Sequence, residues 1–482
     1  MHARIITRFT GILILFLGLS MAGPLVVAFI FRDTSIYGLS LSLFITSLTG
    51  LILIICTRNP ETRHFSSRDG LAIVTLGWVM AALFGTLPYI LSGAIPDFTD
   101  AFFESMSGFT TTGASILNHI ESLPEGILFW RSLTQWLGGM GIIVLSIAIL
   151  PFLGIGGMQL YKAEVPSPVV DKLKPRISET AKTLWKVYLL FTCVEILLLM
   201  AGGMPVFDSI CNAFCTMPTG GFSIRNGSIA DYNSVYFDFV FILFMVLAGI
   251  NFSLHYRLIK GDLNIFGRDS ECRVFLVLVA AFIIMITLNI HGTVYSSIAQ
   301  AFRHAAFQVS SIITTTGFVT ADYATWPALS QLILLVSMFF GAMAGSTGGG
   351  IKIMRIMLLA RHGYQQIFQV IHPRAVTTLK LNGRPVPGEI LSSIWGFFTL
   401  YIGIFVAATL IMAALGLDLI SSLASVAASL GNIGPGLGTV GPTGNYAGVP
   451  LLGKWVLVLC MLLGRLEIYT VIALLAPAYW RK

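Results

Sequence analysis

Phe109-Thr-Thr-Thr-Gly113-Ala-Ser115, Met217-Pro-Thr-Gly220-Gly-Phe-Ser223, Ile313-Thr-Thr-Thr-Gly317-Phe-Val319 and Gly431-Asn-Ile-Gly434-Pro-Gly-Leu437 share one pattern. Each closes a short apolar stretch, at about 100–112, 207–218, 297–313 and 419–431, that is too short to cross a bilayer, which takes about 20 apolar residues. Each is rich in Thr or Gly. Glycine permits the positive φ that turns successive carbonyls toward one side, and a ring of such carbonyls can replace the water shell of a monovalent cation. The C-terminus of the short helix adds partial negative charge at the same point. Non-helical backbone at membrane depth is tolerated only where protein or a water-filled cavity shelters it.

Around these stretches lie runs long enough to span: 9–31, 38–57, 71–94, 128–152, 184–204, 234–255, 273–292, 328–360 (interrupted), 389–416 and 449–477. Aligned on Gly113, Gly220, Gly317 and Gly434, the loops recur 107, 97 and 117 residues apart, each between two spanning runs. Four like units in one chain predict a pseudo-fourfold bundle around a central pore. The expected class is an all-α polytopic membrane protein. Its units are two additional N-terminal transmembrane helices (1–70), pore repeat 1 (71–152), pore repeat 2 (183–262), pore repeat 3 (273–361) and pore repeat 4 (389–477). The first run resembles a signal peptide at Ile12–Leu19 but stays apolar to Phe31, which argues for a retained helix.

Composition agrees. Of 482 residues, 56% are hydrophobic and 11% charged, against roughly 25% charged in a soluble domain, and the mean hydropathy is +0.85. The net charge of +7 reads as topology. With both termini cytoplasmic, 23 of the 29 Lys and Arg fall inside, leaving Arg32, Arg131, Arg225, Arg303 and Lys454 outside and Arg465 within a span, the bias of the positive-inside rule. The basic segments are therefore no nucleic-acid site. The six cysteines show no metal-ligand spacing. The spans lack the clustered His, Asp or Cys that a membrane enzyme needs, so no enzyme and no organic cofactor are expected.

Thr110-Thr-Thr-Gly113, Thr314-Thr-Thr-Gly-Phe318, Trp130-Arg-Ser-Leu-Thr-Gln-Trp-Leu-Gly-Gly-Met-Gly141, Gly345-Ser-Thr-Gly-Gly-Gly350, Asn432-Ile-Gly-Pro-Gly436 and Gly464-Arg-Leu-Glu467 resemble the Trk/Ktr/HKT superfamily of potassium transporters, and the bacterial TrkH/TrkG branch in particular. The resemblance covers essentially the whole chain. It implies potassium uptake across the bacterial inner membrane, a homodimer with one pore per protomer, and a cytosolic nucleotide-binding regulatory subunit of TrkA type. The residues expected to hold potassium are Thr111, Thr112, Gly113; Pro218, Thr219, Gly220; Thr315, Thr316, Gly317; and Asn432, Ile433, Gly434. The loops are unequal: Ala114 stands where the second has Gly221, and Asn432 and Ile433 replace threonines. Discrimination is therefore expected to be looser than in a symmetric filter, with rubidium and sodium admitted.

The run 328–360 is broken by Gly341-Ala-Met-Ala-Gly-Ser-Thr-Gly-Gly-Gly350, too rich in glycine for a regular helix. Small-residue helix packing through Gly341 and Gly345 and a phosphate loop are other readings, but Lys352 stands one residue too late for the phosphate pattern. The resemblance implies an intramembrane gate at Gly345, Gly348, Gly349 and Gly350. Arg465, a charge within a span, needs a partner. Carbonyls freed by the glycine break would serve, as would an acid on another helix such as Glu195. Asp100, Asp208 and Asp418, near the starts of short helices, would cap them or line an anionic vestibule; Arg303 and His304 read as structural. The competing functional reading is an ion-coupled secondary transporter, a K+/H+ or K+/Na+ symporter with a midplane site between broken helices.

Overall fold

The computed structural model describes residues 2–57, 67–153, 177–375, 377–382 and 384–480. The inner segments at 58–66 and 154–176, which carry part of the expected positive charge, lie outside the described residues. The fold is all-α apart from a two-residue hairpin, Lys380–Leu381 against Arg384–Pro385, antiparallel with Lys380 opposite Pro385.

The N-terminal pair is α1 (Ala3–Ser20) continuing through Met21 into α2 (Ala22–Phe31), followed by α3 (Ile36–Cys56). Then come α4 (Ser67–Gly85), α5 (Phe98–Phe109) and α6 (Glu125–Leu153); α7 (Ile177–Ala201), α8 (Val206–Thr216), α9 (Val235–Gly249) and α10 (Phe252–Ile259). The third group is α11 (Ser270–Ile290), α12 (Ile298–Ile313), α13 (Ala328–Ser337) and α14 (Ile353–Ile371), and the fourth α15 (Gly388–Ala414), α16 (Leu419–Leu430), α17 (Leu451–Arg465) and α18 (Tyr469–Leu475). Among the described residues, six helical stretches are long and apolar enough to cross a membrane.

The short helices α5, α8, α12 and α16 lie inside the bundle. Every residue of α5 from Ala101 to Phe109 is buried. The long helices around them turn Val277, Leu288 and Leu410 outward, each 66% exposed, as a lipid-facing surface requires. The protein is thus a multi-pass membrane protein with its polar, irregular backbone enclosed by helices.

Three expected spans are not single helices. The run 234–255 bends by 103° between α9 and α10, where Asn251 starts the new helix by accepting from Ser253 N–H at 2.8 Å. The run 449–477 bends by 119° between α17 and α18, and Glu467 and Ile468 there both adopt positive φ (54° and 53°). Arg465 therefore occupies the last turn of α17, at a break, rather than mid-span. The third interruption, between α13 and α14, runs from 338 to 352, wider than the glycine segment, and is closed at its neck by Gly341 N–H bonded to the Ile351 carbonyl at 2.8 Å.

Capping explains two of the short-helix starts. Asp97, not Asp100, caps α5 by accepting from Asp100 N–H at 3.0 Å, and Asp418 caps α16 through Ser421 N–H at 3.1 Å. Asp100 instead pairs with Lys454 at 2.6 Å.

Candidate ion pathway

All four short helices end in the same way. One residue turns left-handed: Thr111 (φ 53°), Thr219 (56°), Thr315 (61°) and Asn432 (54°). The next residue donates its N–H five positions back, closing the helix as in a Schellman end: Thr112 to Ser107 (2.9 Å), Gly220 to Cys215 (2.9 Å), Thr316 to Ser311 (2.8 Å) and Ile433 to Ala428 (2.8 Å). A glycine with positive φ follows: Gly113 (79°), Gly221 (75°), Gly317 (85°) and Gly434 (98°). Alternating the sign of φ brings successive peptide planes to face one side, which an extended strand does not do. A β-branched residue at positive φ is an outlier costing about 1–3 kcal/mol, and such strain concentrates at functional sites. Three of the four left-handed residues are threonines.

This geometry corrects the alignment of the second loop. Gly221, not Gly220, is the counterpart of Gly113, Gly317 and Gly434, so Pro218 drops out of the equivalent trio and Thr219, Gly220 and Gly221 form it. Phe222, not Gly221, then stands opposite Ala114.

The loops also interlock. A Cβ on Gly113 would strike the Gly220 carbonyl, one on Gly221 the Thr316 carbonyl, and one on Gly317 the Ile433 carbonyl; a Cβ on Gly434 would lie 2.7 Å from the Thr112 oxygen. Each left-handed glycine therefore abuts the residue before the corresponding glycine of the next loop, and the order closes from the fourth back to the first. Thr111, Thr112, Thr315, Thr316, Asn432 and Ile433 all lie buried in this assembly. Side chains brace it. Gln135 on α6 donates to the Gly220 carbonyl at 2.7 Å and accepts from Phe222 N–H at 3.0 Å. Asn432 donates to the Thr112 hydroxyl at 2.9 Å and to the Met461 carbonyl at 3.0 Å.

Beyond the glycines opens a funnel of about 520 Å³ lined by Gly113, Ser115, Gly221, Ser223, Gly317, Gly434 and Asn445, with Arg131 and Arg225 also on its wall. Among the described residues no acidic side chain lines it, so Asp100, Asp208 and Asp418 do not make its wall anionic. Asp208 is bound to Arg225 (3.3 Å) and accepts from the Tyr232 hydroxyl (2.8 Å). Tyr232, and after it Asp208, raise the affinity of the Arg225 guanidinium for its proton. Arg131 is neutralised by Glu104 at 2.6 Å, donates to the Ser223 carbonyl at 2.6 Å, and lies over the Phe222 ring. Arg303 pairs with Asp238 at 2.6 Å, a structural role.

On the opposite side of the loops lies the glycine segment 341–350. Gly349 donates to the Thr315 hydroxyl at 2.7 Å, and a Cβ on Gly349 would overlap the Gly431 carbonyl. The Thr347 hydroxyl donates to the Met217 carbonyl at 2.9 Å. The segment thus touches the second, third and fourth loops at once. Gly345 (φ 78°) and Gly350 (φ 63°) take conformations that favour glycine, and Gly348 lies against Ala342 and the Thr314 carbonyl.

Arg465 is buried beside this segment. It donates to the Thr347 carbonyl at 2.8 Å and to the Gly138 carbonyl on α6 at 3.2 Å. The expected contact with carbonyls freed by the glycine break is present, and no ion pair joins Arg465 to Glu195. The Glu195 carboxylate is buried on α7. Of three further residues at the segment, the sequence singles out only Lys352, and that for the phosphate pattern. Lys352 donates to the Gly348 carbonyl. Arg355 pairs with Glu467 at the bend before α18. Glu271 accepts from two backbone N–H groups of the segment's flanks. A buried charge beside a glycine run was the available signal for Lys352 and Arg355; Glu271, distant in sequence, offered none.

Comparison with known proteins places this geometry in a family. Residues 42–482 match the family TrkH, described as a cation transport protein. The Trk system potassium uptake protein TrkH of Salmonella typhimurium is 43% identical over the full length of both chains. The Trk system potassium uptake protein TrkG of Escherichia coli K12 is 35% identical, covering 100% of this chain and 99% of that one. The crystal structure of the potassium transporter TrkH from Vibrio parahaemolyticus superposes with a TM-score of 0.90 at 38% identity, covering both chains completely. The chain belongs to the TrkH family of cation transport proteins.

Proposed function

We propose that this chain takes up potassium across the bacterial inner membrane, with both termini cytoplasmic, through a filter formed by the four interlocked loops and closed from within by the 341–350 segment. The observation that carries the reading is the fourfold recurrence of a left-handed residue, a helix-closing N–H and a positive-φ glycine, each glycine seated on the next loop. Relatives named as potassium uptake proteins supply the ion.

The chemistry follows from the parts. A potassium ion leaving water exchanges its hydration shell for carbonyl oxygens. The C-termini of α5, α8, α12 and α16 all meet at the loops, and their partial negative charges favour a cation there. Because the loops differ in side chain, the coordination sites are unequal, and rubidium and sodium pass as well. Below, the glycine segment blocks the path. Arg465 holds it by bonding the Thr347 carbonyl and places a fixed positive charge in the way of entering cations. The protein acts as a homodimer, and a cytosolic nucleotide-binding subunit of TrkA type releases the block.

The test is rubidium uptake into proteoliposomes holding the purified chain alone, with and without a proton gradient. Gly317→Ser is expected to abolish most uptake, because the added atoms meet the Ile433 carbonyl. Arg465→Ala is expected to raise unregulated uptake on the order of tenfold, the factor for one lost charge-assisted hydrogen bond, with Arg465→Lys between it and wild type. Unchanged uptake in folded Gly317→Ser removes the loops from the conduction path. Wild-type uptake in Arg465→Ala makes the segment packing and not a gate.

A further inference from the structure

The intramembrane segment exposes backbone groups on both sides, and its carbonyls and its N–H groups are bound by different parts of the protein. Two of its carbonyls go to cations, Thr347 to Arg465 and Gly348 to Lys352, while that of Gly345 accepts from Phe252 N–H at 3.1 Å. Its N–H groups go to oxygen. Gly349 is bound by Thr315 within the loop assembly. Ala344 and Met354 are both bound by one oxygen, Oε1 of Glu271, at 2.8 and 3.1 Å.

Ala344 precedes the glycine run and Met354 is in the first turn of α14. One carboxyl oxygen therefore joins the segment, at Ala344, to the start of the helix that follows it, at Met354. Glu271 is in the first turn of α11, a helix that belongs neither to the segment nor to the loops, and its side chain is buried. Its own turn is anchored separately: Asp269 accepts from Cys272 N–H at 2.8 Å and from Asn382 at 2.8 Å. The carboxylate is thus set on a fixed support while the groups it binds lie on the part that must move for the path to open. A buried backbone N–H that loses its acceptor is costly, and Oε1 of Glu271 is the acceptor for two of them.

We propose that Glu271 is the positioning residue that latches the segment shut, and that opening requires both of its N–H bonds to break. This rests on the reading of 341–350 as a gate. Glu271 and Arg465 bind different groups of the chain, Ala344 and Met354 N–H for one and the Thr347 carbonyl for the other.

The test combines rubidium uptake into proteoliposomes lacking any cytosolic protein with hydrogen–deuterium exchange of the same samples. Glu271→Ala is expected to raise uptake on the order of tenfold, for the loss of two buried hydrogen bonds from the closed state, and to speed exchange in 341–354 while α5 and α6 exchange as in wild type. Glu271→Asp keeps the carboxyl group but falls one methylene short, so it should behave like Glu271→Ala. Glu271→Gln keeps an acceptor oxygen in place and should bring uptake back to within roughly threefold of wild type; it also serves if the alanine variant does not fold. Faster exchange in 341–354 with wild-type or lower uptake overturns the latch, as does unchanged exchange. Arg465→Ala, run in parallel, separates the two readings. If it too leaves uptake unchanged, the gate reading has failed; if it raises uptake while Glu271→Ala and Glu271→Asp do not, only the latch has.

Discussion

Gly220 and Gly221 are neighbours, and only the second is irreplaceable. Gly221 has φ of 75°, and a Cβ there would overlap the Thr316 carbonyl, which is backbone and fixed. At Gly220 a Cβ would instead meet the amide of Gln135, a side chain able to turn. Gly221→Ala is expected to abolish rubidium uptake, the backbone strain alone costing about 1–3 kcal/mol, whereas Gly220→Ala should keep uptake within about threefold of wild type, since burial of the methyl displaces only one hydrogen-bonded side chain. Uptake by cells lacking other potassium systems, at matched membrane levels, decides; the reverse order refutes the register. The sequence does not reveal this choice. Met217-Pro-Thr-Gly-Gly can be set against Thr-Thr-Thr-Gly in two ways, and the left-handed Thr219, the positive φ of Gly221 and its seat on the Thr316 carbonyl separate them. Arg465 was more legible, because a charge in a span must find oxygen and the glycine break is the evident source. The vestibule aspartates misled because capping and ion pairing depend on partners, Lys454 and Arg225, that lie far away in sequence.

A helix that ends in a left-handed threonine exchanges conformational ease for a hydroxyl at a defined place. At Thr315 that hydroxyl accepts the N–H of Gly349, so the end of α12 is also a contact of the glycine segment. Thr315→Gly relieves about 1 kcal/mol of left-handed strain yet removes the acceptor, whose loss from a buried N–H costs about 1–3 kcal/mol. The second effect is the larger for the closed state, so unregulated rubidium uptake should rise, while Thr315→Ser, which keeps the hydroxyl, should stay near wild type. Equal uptake in Thr315→Gly and wild-type proteoliposomes would disprove the contact. Most long helices were readable from apolar length alone. The bends were not. Residues 234–255 and 449–477 are each apolar enough on average to read as one span, and the bends become visible only in the structure, at Asn251 and at the Arg355–Glu467 pair.

Across the whole molecule, charge and loop placement predict a single orientation. Asn445 lines the funnel beyond the glycines, and Thr378 lies with Arg361 and Lys380 in a cleft beside the second half of α14. With cysteines introduced at these two sites in a background lacking exposed Cys56 and Cys193, a membrane-impermeant maleimide applied to spheroplasts should label Asn445→Cys and spare Thr378→Cys until the membrane is opened. Labelling in the opposite order inverts the assignment. The all-α class and the membrane setting were plain from composition, since 11% charged residues cannot clothe several soluble domains. The interlocking of the four loops has a wider consequence. A pore assembled from identical subunits changes all its walls whenever one codon changes. With the four loops read as the proposed filter, each wall has its own codon, so Asn432 can stand in one quadrant while threonine keeps the other three. Ion preference in such a chain is adjustable a quarter at a time, and evolution can sample intermediate mixtures that a symmetric ring never visits.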